Sequence, residues 1–277
     1  MFGFENMLHS EYTELPFKIM FYTIVFLFGI SIGSFLNVVI LRIPKGESLI
    51  KRSSHCMTCG AKIRIIDLIP VFSWLMLRGK CHSCGEKISP RYPIVESLNG
   101  LLYILTFLVL DINVKSIITC LLMSLLVVVA FMDWDTMEIN LIIVGIIFLL
   151  AVPLQIFSDD VTLKSRIIGA VVISVPFFII GEVSRPIIKK KYGEDFRAIE
   201  QGDSFLMIAA GAVLGTQAVI ASTLIGVIAA AIGGSIIKAV KKDSKFPFGP
   251  FLSLGTAIGL LWGNNLAEWY LNLIKTQ

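Results

Sequence analysis

Long stretches without a charged side chain limit most what this chain can become. Ile19–Leu41 runs for 23 residues, Ser116–Met132 for 17, Ile139–Ser158 for 20, Ile167–Gly181 for 15, Ser204–Ile237 for 34 and Phe246–Ala267 for 22. A helix needs about 20 apolar residues to cross the hydrocarbon core of a bilayer. Membrane β-strands would alternate apolar and polar residues, and these runs are continuously apolar, which selects helices. The longest run carries Gly215-Thr216-Gln217 near its middle and is expected to form two short helices joined by a tight turn. Ser97–Leu110 is shorter but apolar and counts as a further span. The expectation is an all-α polytopic membrane protein with about eight transmembrane helices. Composition agrees: 16% of the residues are charged, against roughly 25% in soluble domains.

The basic residues orient the chain. Of 24 Lys and Arg, ten lie between Arg42 and Arg91, five between Arg185 and Arg197, and four between Lys238 and Lys245. Short loops rich in Lys and Arg stay on the cytoplasmic side. Threading eight helices with the first loop inside also places the loops at 186–203 and 238–247 inside, together with the turn at 133–138. Both termini then lie outside. The first apolar run is too long for the core of a signal peptide and lacks a small-residue cleavage site, so it reads as a retained span. The net charge of +4 follows from this topology, and no nucleic-acid partner is expected.

The longest polar stretch holds Cys56-Met-Thr-Cys59 and Cys81-His-Ser-Cys84. The two pairs are separated by 21 residues, close to zinc-ribbon spacing. Each pair can close a knuckle around one tetrahedral ion. Gly follows Cys59 and Cys84, and Lys and Ile recur at the same offset in both knuckles, as expected for duplicates that share one metal. A pair of disulfides is the competing reading, and a cytoplasmic loop disfavours it. Zn2+ on Cys56, Cys59, Cys81 and Cys84 is therefore expected in a zinc-ribbon-like cytoplasmic loop. Cys120 sits in an apolar run and reads as a buried hydrophobe. Between the knuckles, Ile65–Leu77 is apolar, too short to span, and interrupted by Asp67 and Pro70. It suits a segment lying in the membrane interface.

Ionisable groups in or beside spans are costly and carry functional hypotheses. Asp133 ends one apolar run and Asp203 precedes another. In the threaded topology both fall at the inner membrane boundary, on helices that can pack side by side. Paired there, two carboxylates would share one proton, the condition for aspartic-protease chemistry. Helix capping is the plainer reading of either residue alone. Asp135, Glu138 and Glu182 have equal physical claims, and the pair is not chosen by topology.

Several stretches together resemble the bacterial prepilin peptidases, the bifunctional leader peptidase/N-methyltransferases of the GxGD-type aspartic protease family. They are Gly33-Ser34-Phe35-Leu36-Asn37-Val38-Val39 followed by Arg42-Ile43-Pro44, Asp67-Leu68-Ile69-Pro70, Arg78-Gly79-Lys80-Cys81, Ile88-Ser89-Pro90-Arg91-Tyr92-Pro93 with Glu96, and Phe246-Pro247-Phe248-Gly249-Pro250-Phe251. The resemblance covers roughly residues 30–255. It implies Asp133, in Met132-Asp133-Trp134-Asp135, and Asp203, in Glu200-Gln201-Gly202-Asp203, as the catalytic pair. Three positions depart from the family pattern. Glu200 stands where a Gly is usual, Phe205 where a Lys is usual, and Asn140 where a Pro is usual. Gly permits backbone conformations that Glu disfavours, so a different turn is expected at Glu200.

The resemblance implies cleavage of the leader of type IV prepilins or pseudopilins after Gly, at the cytoplasmic face of the bacterial inner membrane. It also implies N-methylation of the new terminus with S-adenosylmethionine, in service of type IV pili or protein secretion. Gly79, Glu96, Asn37 and Arg42 are the methylation-associated candidates. No glycine-rich dinucleotide-type loop places the methyl donor. The implied organisation is a first helix and opening motif at 1–41, the cysteine loop at 42–96 and a membrane-embedded peptidase domain at 97–277. The alternatives are a peptidase without methyltransferase activity, an ion-coupled transporter using the two aspartates, and a scaffold. Peptidase-only relatives lack the cysteine loop. No internal repeat of the kind common in transporters is evident.

Overall fold

The computed structural model describes residues 2–275 apart from 52, 158–159, 193–196 and 242–245; side chains are described from residue 15 onward, apart from those of 191–192, 240–241, 270–271 and 273–275. Arg52, Lys242 and Lys245 of the basic loops lie outside the described residues. The described chain is helical, with no strand longer than an isolated bridge pair. The elements are α1 (Phe2–Arg42), a 3-10 turn (Ile65–Leu68), α2 (Phe72–Met76), α3 (Arg91–Leu110), α4 (Val114–Thr136), α5 (Leu141–Leu149), α6 (Ala151–Phe157), α7 (Leu163–Val172), α8 (Ser174–Tyr192), α9 (Gln201–Leu214), α10 (Thr216–Lys241) and α11 (Gly249–Lys275).

Among the described residues, five segments are long and apolar enough to cross a membrane: Leu15–Arg42, Arg91–Leu110, Val114–Thr136, Leu163–Lys190 and Thr216–Ala239. Leu141–Phe157 and Gln201–Leu214 are shorter apolar helices. With α11 these make eight helical segments, in the order expected from the apolar runs. The 34-residue run does divide at Gly215 (φ 76°), but unequally, because α10 continues through the basic stretch to Lys241. Along α10, Leu224, Ile228, Ile232 and Ile236 are exposed at every fourth position. That spacing makes one apolar stripe on the helix surface, as a lipid-facing helix requires.

The chain forms two compact units, Met1–Val109 and Leu110–Gln277. In the first, α3 packs on α1. The contact is close because small residues line it. A Cβ on Gly29 would lie 2.7 Å from Gly100 Cα, and one on Gly33 would lie 2.7 Å from Glu96 Cα. The buried Asn99 donates from Nδ2 to Gly29 O at 2.7 Å. Helices in lipid gain no hydrophobic drive from meeting each other, so close packing of small residues and interhelical hydrogen bonds hold them.

The second unit follows the same rule. Gly169 on α7 meets Gly211 on α9, where a Cβ on Gly211 would fall 2.1 Å from Gly169 O. Gly255 and Gly259 on α11 both sit against Ser222 on α10. At the far end of α9 the buried Arg166 donates from Nη1 to Ala212 O at 3.0 Å and from Nε to Gln155 Oε1 at 2.8 Å. A cation there satisfies C-terminal carbonyls that would otherwise face an apolar surround. Gly211→Val is expected to lower the midpoint of thermal unfolding by about 5–10 °C, from overpacking of about 2–3 kcal/mol. Melting in detergent followed by size-exclusion recovery checks it, and an unchanged midpoint would show that α7 and α9 can separate freely.

Candidate active site and metal centre

The second unit brings two of the candidate carboxylates together. Asp133 lies in the last turn of α4 and Asp203 in the first turn of α9; both are buried, at 5% and 4% exposure. Helices α5 and α11 each pack on both α4 and α9, which brings the two helix ends into one neighbourhood. The rival carboxylates do not share this environment. Asp135 and Glu138 are exposed. Glu182 is half-buried and pairs with Arg197 Nη2 at 2.9 Å, while also accepting from Gln201 Nε2 at 3.2 Å.

Each aspartate is held by a backbone donor at a helix start. Asp203 Oδ2 accepts the Glu200 N–H at 3.0 Å, so the side chain turns back on its own helix N-terminus. Asp133 Oδ2 accepts the Gly249 N–H at 2.8 Å, across 116 residues. Gly249 begins α11 and Pro250 follows it, the usual place for a proline that needs no N–H partner. A helix N-terminus presents unpaired N–H groups and positive potential to a carboxylate. Sequence reading named the Phe246–Phe251 motif without assigning Gly249 to Asp133. The Gly-Pro pair was the available signal for a helix start.

Glycine is required at 249 by space. A Cβ there would lie 2.8 Å from Asp133 Oδ2 and 2.9 Å from its Cγ. Gly249→Ala is expected to displace the Asp133 carboxyl and lower proteolytic activity about 30-fold or more. Steady-state cleavage of a purified substrate, with the melting midpoint as control, checks it. Activity equal to wild type would show that Asp133 does not depend on this contact.

The three departures from the family pattern are each accommodated. Glu200 adopts φ −73° and ψ 158°, an extended N-cap conformation open to any residue, so the turn does not demand Gly. Gly202 is the position where space is short, since a Cβ would meet Ile139 Cβ at 2.9 Å. Asn140 caps α5, accepting the Ile142 N–H at 2.9 Å, and asparagine is among the best N-cap residues. Phe205 is exposed, facing away from the buried surroundings of Asp203.

In the first unit the four cysteines converge. Their Sγ atoms all lie within 4.8 Å of one another. Cys56 Sγ and Cys84 Sγ are 3.9 Å apart. A tetrahedron with metal–sulfur bonds of about 2.3 Å has edges of about 3.8 Å, so the cluster could hold one ion. All four are free thiols, which removes the disulfide reading. The knuckles are duplicates in geometry also. Cys56 N donates to Ala61 O and Cys81 N to Glu86 O, while Gly60 N and Gly85 N return to Cys56 O and Cys81 O. Gly60 and Gly85 carry φ of +71° and +73°, which explains the Gly after each second cysteine. Backbone N–H groups of Cys59 and Thr58 draw the Cys56 thiol down, while burial and the neighbouring cysteines push that of Cys84 up, so the cluster as a whole would hold its protons unevenly without an ion. His55 and His82 are not among the clustered ligands. Cys120 is buried in α4, as a small apolar residue would be.

The methylation-associated candidates are all engaged within the unit. Asn37 Nδ2 donates to Tyr92 O at 3.1 Å, tying α1 to α3. Arg42 Nη1 donates to Ser48 O at 3.0 Å. Glu96 Oε2 accepts the Val71 N–H at 2.7 Å. Gly79 has φ +67°, and a Cβ there would meet Trp74 Cζ2 at 2.8 Å. Trp74 in turn donates from Nε1 to Ile88 O at 3.1 Å. These contacts shape the loop and its seat on α1 and α3.

The second unit thus holds two buried carboxylates, one at the end of α4 and one at the start of α9, each on a backbone N–H. Comparison with known proteins names the family. Residues 27–110 match the bacterial Peptidase A24 N-terminal domain and residues 120–235 match the Type IV leader peptidase family. The chain is 30% identical over 292 residues to a prepilin leader peptidase/N-methyltransferase of Aeromonas salmonicida, covering 92% of this chain and 95% of that protein. It is 31% identical over 288 residues to the same-named protein of Aeromonas hydrophila, covering 91% of this chain and 94% of the relative. The same-named protein of Neisseria gonorrhoeae is 31% identical over 282 residues, covering 88% of this chain and 92% of its own length. No solved structure matches the chain. The chain belongs to the type IV leader peptidase family.

Proposed function

We propose that this protein removes the leader of type IV prepilins or pseudopilins after Gly and then methylates the new N-terminal residue with S-adenosylmethionine. The convergence of Asp133 and Asp203 in one buried site, in a chain whose relatives are named leader peptidase/N-methyltransferases, carries the reading. One carboxylate, ionised, takes a proton from water as that oxygen attacks the scissile carbonyl carbon. The other, protonated, donates to the carbonyl oxygen as its negative charge develops. Collapse of the tetrahedral intermediate breaks the C–N bond. The carboxyl that received the water proton gives it to the departing amine. Gly249 N–H and Glu200 N–H hold the two carboxyls in place meanwhile.

The basic loops support a site at the cytoplasmic face of the bacterial inner membrane. A substrate with a basic leader in the cytoplasm and an apolar helix in the bilayer would present its cleavage bond at the membrane boundary. Methyl transfer is assigned to the first unit, where Gly79, Glu96, Asn37 and Arg42 maintain the shape of the cysteine loop. Cys56, Cys59, Cys81 and Cys84 hold one Zn2+, which supplies structural closure to a loop with no core of its own. The test incubates the reconstituted chain with a type IV prepilin and S-adenosylmethionine and reads the pilin N-terminus by mass spectrometry. Leader loss plus one added methyl group is expected. Cleavage without methylation would reduce the function to a peptidase, and an uncut substrate across several prepilins and pseudopilins would overturn the reading.

A further inference from the structure

The segment between the two cysteine knuckles is apolar, ordered by its own contacts, and uncovered. Ile65, Ile66, Ile69, Phe72, Leu75 and Met76 are all exposed, with Ile65 at 87% and Met76 at 84%. Six large apolar side chains within twelve residues is a patch that water-facing loops do not keep without a partner. The segment also hides its charge. Asp67, its one acidic residue, is held below the usual carboxylate range by a two-pronged pair with Arg64, at 2.8 and 2.9 Å. Flanking it in the sequence are exposed cations outside that pair: Lys62, Arg78, Lys80 and Lys87.

Its depth is set by a clasp. Val71, at the segment's centre, has φ 63° and ψ −54°, a backbone conformation a β-branched residue rarely adopts. Glu96 Oε2 accepts its N–H at 2.7 Å and holds it there. Glu96 lies in the second turn of α3, one of the helices long enough to cross a membrane. Five residues into a helix is about 7–8 Å from its start. The apolar segment is thus fastened beside the first turns of a spanning helix, which is the level of the headgroups and upper acyl chains.

We propose that residues 65–76 form an interfacial anchor that docks on an anionic bilayer surface. Ile65, Ile66, Phe72 and Met76 enter the acyl boundary, and the flanking cations meet lipid phosphates. Apolar insertion flanked by Lys and Arg is the chemistry that binds such a surface. Continuity with two spanning helices, α1 and α3, makes lipid the occupant, because the segment cannot leave the membrane's vicinity. This inference goes beyond the proposed reaction and does not rest on it.

The test places a photoreactive aliphatic amino acid at position 66 or 76 of the full chain, with position 57 as control. Met57 is 76% exposed but belongs to a knuckle, outside the anchor. The labelled chains are reconstituted in vesicles of phosphatidylethanolamine and phosphatidylglycerol, irradiated, and their adducts read by mass spectrometry. Because all three positions are exposed, the wild-type melting midpoint should survive labelling. Lipid adducts at 66 and 76 are expected at about fivefold or more over 57, falling about twofold when phosphatidylglycerol is replaced by phosphatidylcholine. Adduct yields equal to those at 57 would overturn the anchor. So would adducts at 66 and 76 to protein, which would make the patch a protein-docking surface. An undiminished yield without phosphatidylglycerol would overturn the anionic preference.

Discussion

Asparagine at Asp133 or at Asp203 is expected to stop leader removal, each variant falling by about a thousandfold or more in kcat/KM. The substitution is chosen because it separates proton chemistry from geometry. An asparagine oxygen can still accept the Gly249 N–H that Asp133 Oδ2 accepts at 2.8 Å, or the Glu200 N–H that Asp203 Oδ2 accepts at 3.0 Å. The helix ends should therefore stay where they are, and thermal stability should stay near wild type. An amide can neither take the water proton nor return one to the departing amine. The double variant should be scarcely worse than either single one, since groups acting as one unit lose their function together. Cleavage kinetics on a purified prepilin decide it. Near-normal turnover in either single variant would remove that residue from the chemistry and reopen the case for another carboxylate. Asp135 is the weakest substitute because it is exposed.

Serine at Cys59 or Cys84 is expected to abolish metal binding by the first unit and to reduce methylation at least tenfold, while cleavage continues. The cysteine loop has little to fold around: its knuckles rest on two isolated bridge pairs, His55 with Lys62 and Lys80 with Lys87. In peptides of comparable design the metal contributes about 10–16 kcal/mol of apparent binding free energy, most of which is folding free energy. Three thiolates and a hydroxyl bind zinc far more weakly than four thiolates do. Both aspartates lie in the other compact unit, Leu110–Gln277, so leader removal should be much less sensitive. Metal content by mass spectrometry should fall from about one zinc per chain to near zero, and a strong chelator should mimic the variants. Persistent methylation in a chain shown to be metal-free would make the metal dispensable to the loop.

Much of the fold was legible in the amino-acid order because its constraints are local. The apolar runs anticipate eight helical segments, and the turn at Gly215 falls inside the run too long for one span. The CxxC spacing anticipates the cluster, since two knuckles of the same offset close in the same way. Topology alone did not choose among the carboxylates, and only the family resemblance implied Asp133 and Asp203. Asp133, Asp135, Glu138 and Glu182 differ in burial and partners, which depend on helices that pack from elsewhere in the chain. The backbone at Glu200 was open in the sequence for a related reason. An N-cap position is extended, and only the start of α9 shows that residue 200 occupies it.

By itself the order of residues determined the membrane class, the positions of the apolar helices and the cysteine knuckles. Hydrocarbon thickness, backbone hydrogen bonding and tetrahedral ligation act over stretches of chain short enough to be read in sequence. Only the tertiary structure decided that Gly249 holds Asp133, that Arg166 closes the end of α9 and that Glu96 clasps Val71. These contacts join residues 116, 46 and 25 positions apart. They arise from which helix faces meet, and in a membrane that is settled by the close fit of small residues and the pairing of buried polar groups, not by hydrophobic pattern.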